Sequence, residues 1–201
     1  MLNLPQSTEV RKPLPKTALY KQYGWNTAQR EAFDAIVSRI DFVNWIAPKT
    51  LPAIAEGTEV KAIIVAEIAL KTRDFDIKAI FLLAKSIPQR IIYVLRFGDE
   101  MKLAVWHDKL FATDWQNLNS SFSILNSATT SLDALWQNTV SAIGAFEVSQ
   151  ENTLTEQIHL DEERNKLLRQ IEALERKMRQ TTQPRRKREI FLEIQKLKTS
   201  L

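Results

Sequence analysis

The chain has 201 residues, 44% apolar and 26% charged, enough for one domain with a sizeable core plus an appendage. It contains no cysteine, which removes disulfides, thiolate zinc sites and cysteine nucleophiles and fits a reducing compartment. Charge is uneven: 16 Lys/Arg face 15 Asp/Glu over residues 1–150, 3 face 7 over 151–175, and 9 face 2 over 176–201.

Neither a signal-peptide core nor a run of roughly 20 apolar residues is present, so a cytoplasmic chain with no membrane partner is expected. Residues 1–22 read as an extended arm, because Pro5, Pro13 and Pro15 bias their predecessors away from helix. Capped by Asn26 or Thr27, an amphipathic helix is predicted over 27–45, with Phe33, Ile36, Val37 and Ile40 at helical spacing. Residues 59–70 form a near-continuous β-branched run, read as a strand covered on both faces and interrupted by Glu67.

Asp74 or Asp76 caps a predicted helix that Pro88 closes, and strands over 90–97 and 101–106 flank the turn at Gly98. Two apolar strands joined by a helix-length spacer predict a parallel βαβ crossover with one antiparallel strand added. Ser, Asn and Thr mark 116–131 as a loop, and Ser131 caps a helix over 132–146. Beyond it Leu160, Leu167 and Leu174 recur every seven residues, with Ile171 and Met178 in the same seam. Pro184 breaks the pattern, and Ile190, Ile194, Leu197 and Leu201 share one face of a second helix. The expected fold is α+β: a small mixed β-sheet with flanking helices over 23–150, and an antiparallel coiled-coil hairpin over 151–201.

Catalytic equipment is sparse. The four glycines stand apart, so neither a phosphate-binding loop nor a dinucleotide fingerprint can be written, and no cofactor is expected. Two isolated histidines, His107 and His159, make no zinc site, and no metal is expected. One enzyme alternative survives, a metal-dependent nuclease. Glu59-Val60-Lys61 supplies a carboxylate and a water-positioning ammonium, and Asp41 lies eighteen residues earlier. Against it stands a solvent-facing strand start, the commoner meaning of so short a motif.

The most unusual local feature is Arg185-Arg186-Lys187-Arg188, with Arg179 a few residues before. Four adjacent cations splay around a helix and suit phosphate contact or an acidic partner, while the bland reading is a solvated charge run. Trp45 and Trp136 fall on predicted apolar faces, whereas Trp106 and Trp115 flank a loop and suit an interface.

The order of these pieces resembles a bacterial family catalogued as domain of unknown function 4391. The likeness rests on Pro15-Lys16 and Leu19-Tyr20, Trp45 followed by Lys49-Thr50-Leu51, the strand over 65–71, Ile87-Pro88 before 91–95, and Trp115. Leu174-Glu175 and then Gln183, Arg186, Lys187 and Glu189 extend it through the C-terminal helices. Members are often encoded beside DNA methyltransferases and helicases of restriction-modification or phage-defence loci. The resemblance therefore implies a non-catalytic adaptor docking on such a protein partner, with nucleic acid as a further partner. At Pro184 this chain departs from the family's continuous helix, which favours a hairpin.

Overall fold

The computed structural model describes residues 2–120, 122–125, 129–146 and 153–199. It divides into two compact units, Met1–Glu147 and Val148–Leu201. The serine-rich loop falls partly outside the described residues, and Leu201 and the boundary at 150/151 lie wholly outside them.

The first unit is built on one mixed sheet. Its strands are β1 (Glu9–Pro13), β2 (Val37–Ile46), β3 (Ile63–Leu70), β4 (Arg90–Phe97), β5 (Glu100–His107), β6 (Lys109–Ala112) and β7 (Gln116–Asn117). They lie in the order β1-β2-β3-β4-β5-β6, with β7 also on β5. Strands β3 and β4 are the parallel pair, as the spacer between them requires, and every other pairing is antiparallel. Between them runs helix α3 (Lys78–Ser86), entered through Asp76, whose Oδ1 accepts the Lys78 N–H at 2.9 Å.

Two expectations change. The opening segment is not extended throughout: β1 pairs with β2, and helix α1 (Lys16–Tyr23) follows Pro15 directly. A proline is harmless at a helix entrance, so Pro15 starts α1 where Gly24, at φ 62°, ends it. The helix expected over 27–45 is also two elements, α2 (Thr27–Ile36) and then β2. Asn26 and Gln29 form a reciprocal capping box at the start of α2. Register shifts between Val37 and Arg39 and between Phe42 and Asn44 break the two-residue alternation of β2. The first shift leaves the core-facing Val37 and Ile40 three residues apart, which imitates a helical face.

Alternation along β3 assigns the faces. Ile64, Ala66, Ile68 and Leu70 join Tyr93 and Leu95 of β4 in one core with α1, α2 and α3. Tyr20, Trp25 and Phe33 pack there edge to face or stacked, and the Trp25 ring N–H donates to Ser86 at 3.1 Å. Ile63, Val65 and Glu67 point to the opposite face. Helix α4 (Leu132–Gly144), capped by Ser131, packs there on β5 and β6 and buries Leu132, Leu135, Trp136, Val140 and Ile143. The head of this helix is tied through Asp133 to the loop that leads into β3, and Glu67 on the same face of the sheet lines a groove.

The second unit is a helical hairpin. A capping box of Thr153 and Glu156 opens α5 (Leu154–Gln180), and Pro184 stands in the first turn of α6 (Pro184–Lys198). Ile171, Ile190 and Ile194 are buried in the seam, joined by Leu174, Met178 and Leu197. Lys198 reaches Glu175 at 3.0 Å across the two helices. No helix among the described residues is long and apolar enough to cross a membrane.

Candidate functional site

Two places concentrate chemistry, one in each unit. The first is a cavity of about 370 Å³ on the second face of the sheet. Val65, Val94 and Met101 line it, as do Val43, Leu4 and Leu118. Its charged side is formed by Glu9, Asp41 and Glu67 with Arg11.

Asp41 and Glu67 are direct antiparallel partners on β2 and β3, so their side chains share a face. They are only 19% and 22% exposed. Arg39 pairs with Asp41 at 2.5 Å and Arg96 with Glu67 at 3.3 Å, offsetting part of the repulsion between them.

Of the three residues expected to form a nuclease centre, only Asp41 lies in this groove. Glu59 and Lys61 precede β3, whose Ile63 end lies about 13 Å along the strand from Glu67. The Lys61 ammonium is engaged by the Gly57 carbonyl at 2.8 Å and by Glu56 at 3.0 Å. Residues 58–60 donate their backbone N–H groups to Asp133 at the head of α4, at 2.6, 3.3 and 2.8 Å. Burial raises the Asp133 pKa, but these donors and Lys61 outweigh it and hold the carboxyl below its ordinary range. The loop is thus anchored away from Asp41, and no described group of three His, Cys, Asp or Glu is placed to hold a metal ion.

Glu67 and Glu9 are the acidic groove residues outside the expected nuclease set. A signal was present for Glu67, a lone charge inside an otherwise apolar strand. For Glu9 there was none, since nothing in the opening segment reveals that β1 joins the sheet.

His107 belongs to the framework. Its Nδ1 accepts the Trp136 ring N–H at 3.1 Å and faces an Arg90 guanidinium nitrogen at 3.2 Å. Two donors on one nitrogen place the proton on Nε2. Burial, and then Arg90, push the imidazole pKa below its ordinary value.

The second place is the tip of the hairpin. Residues 176–188 hold seven Lys/Arg and no Asp/Glu. The turn brings Arg176, Lys177 and Arg179 at the end of α5 beside the four cations that open α6. All seven are exposed, and Arg185 meets Glu189 one turn on at 3.5 Å. The other six have no ion pair among the described residues.

A family model described as a domain of unknown function, DUF4391, matches residues 2–201. The chain belongs to this family. No curated protein and no solved structure matches it. Membership in DUF4391 therefore supplies no catalytic residues, and the chemistry must be read from the groove and the tip.

Proposed function

We propose that this DUF4391 chain is a non-catalytic accessory subunit of a DNA-processing assembly, of the restriction-modification or phage-defence kind. Its hairpin tip contacts the phosphate backbone, and the chain docks on a helicase or DNA methyltransferase. The observation that carries this reading is the tip itself, seven cations with no acid over thirteen residues folded back on one another. Cations at the end of α5 complement the helix dipole, but those at the start of α6 oppose it by about 0.3–1 kcal/mol each at low salt. A bound phosphate relieves that opposition. The class of protein partner follows from the family resemblance.

The test is fluorescence anisotropy of the whole protein on labelled duplexes of unrelated sequence. Similar affinity for each duplex, lost when Arg185, Arg186, Lys187 and Arg188 are all alanine, is the expected result. Adding Mg²⁺ discriminates against the enzyme alternative, because cleavage of the duplex identifies a nuclease. No binding at low salt overturns the nucleic-acid assignment.

A further inference from the structure

We propose that the groove over β2, β3 and β4 is a binding site for an aliphatic ammonium group, carried by a free polyamine or by a lysine side chain. Its cavity of about 370 Å³ is of ligand size, since small-molecule sites span roughly 300–1,000 Å³. Two features define the occupant.

The first is the apolar surface made by Val65, Val94, Met101 and Val43. Val43 and Val94 are half-buried and supply the accessible surface, over a floor of Val65 and Met101 that is 1% exposed and fixed by the sheet, so this surface is preformed. Methylene groups bury well on such a surface, whereas a hydrated inorganic ion gains nothing from it.

The second is the charge balance of the lining. Glu9, Asp41 and Glu67 face one cation, Arg11, whose side chain is 86% exposed and pairs with Glu9 at 3.8 Å, so the acidic excess at the cavity wall lies with the two inner carboxylates. Arg39 and Arg96 do offset the two inner carboxylates, but neither guanidinium lines the cavity, and Arg39 is 70% exposed. Like charges directly opposite one another on neighbouring strands are destabilising. An ammonium with three N–H donors bridges Asp41 and Glu67 and removes that repulsion through charge-assisted hydrogen bonds. A divalent metal fits less well, because Glu9, though it lines the same cavity, does not group with Asp41 and Glu67 as a third metal ligand among the described residues.

The experiment is calorimetric titration of the full chain with spermidine, with a short lysine-containing peptide, with the same peptide acetylated on the lysine, and with MgCl₂. Saturable binding of spermidine alone assigns a free polyamine, and binding of the unacetylated peptide alone assigns a lysine side chain. In either case Glu67→Gln and Asp41→Asn each weaken binding by about tenfold or more. Glu100→Gln, in the ion pair with Arg73 outside the groove, leaves it unchanged. Should either groove variant fail to fold, Val43→Phe fills the cavity from a half-buried position and also abolishes binding. Absence of binding by the folded wild type at millimolar amine overturns the proposal. So does equal binding by the groove variants, and so does Mg²⁺ binding that Asp41→Asn removes while amines do not compete.

Discussion

The Asp133 carboxylate occupies the space that a side chain at Gly57 would fill: a Cβ there would collide with Oδ1 and would also stand 2.8 Å from the Val60 carbonyl. The same carboxylate accepts the N–H groups of residues 58–60, so loop and helix α4 are one construction. Gly57→Ala is expected to destabilise the protein by about 1–3 kcal/mol through overpacking. Asp133→Ala, which leaves backbone donors without their acceptor, is expected to cost about 1–3 kcal/mol. Together they should cost less than the sum, because shortening Asp133 removes the clash with its carboxylate and leaves only the approach to the Val60 carbonyl. Urea denaturation of the two single variants and the double variant checks this; strict additivity would mean that the two positions do not share the space.

Acid sensitivity should trace to His107. Charging the ring requires a proton on Nδ1, where Trp136 and Arg90 both point donors. With the folded pKa depressed, the unfolded chain binds the proton more readily, so stability rises with pH across this window. The contribution is complete above the unfolded value of about 6.5 and is lost as pH falls from there toward the folded pKa. His107→Asn keeps an acceptor without the titration. Its melting temperature should fall less than that of the wild type between pH 7.5 and pH 5. Parallel curves for the two proteins would remove His107 from the account.

The legible parts of this fold were those where one local signal ran unopposed. Strand β4 and the turn at Gly98 announce themselves through a β-branched run and a positive-φ glycine. Ser131 and the break at Pro184 also stood where the caps and turns formed. Strand β2 reads as helix because an irregularity after Val37 gives its inward residues Val37 and Ile40 a helix-like spacing, and only pairing with β3 decides between the two periods. The groove was hidden for a related reason. Asp41, Glu67 and Glu9 come from three strands, and nothing in their sequence spacing shows that ladder register sets Asp41 against Glu67. The basic tip, by contrast, is a local composition and was visible at once.

The central place of β3 yields a direct test. Ile64 is 4% exposed, in the core shared with α1, α2 and α3. Ile64→Asp puts an unpaired carboxylate in that core, at a cost of several kcal/mol, of the order of a domain's whole stability. The variant should be unfolded by circular dichroism at room temperature. An unchanged melting curve would show that the strand is not internal.

The salt dependence of duplex binding gives the sharpest reading of the hairpin tip. Each phosphate contact contributes about −0.9 to the slope of log affinity against log salt on B-form DNA. Replacing Arg185, Arg186, Lys187 and Arg188 with alanine should therefore flatten that slope by roughly two to four units. Folding should hardly respond, since the cations are exposed, and exposed ion pairs such as Arg185 with Glu189 contribute about 0–1 kcal/mol. A uniform loss across sequences with the flatter slope identifies backbone contact. A loss confined to one sequence would instead mean that these side chains reach base edges. If the variant keeps both affinity and slope, the phosphates are held elsewhere and the four cations are a solvated face of α6.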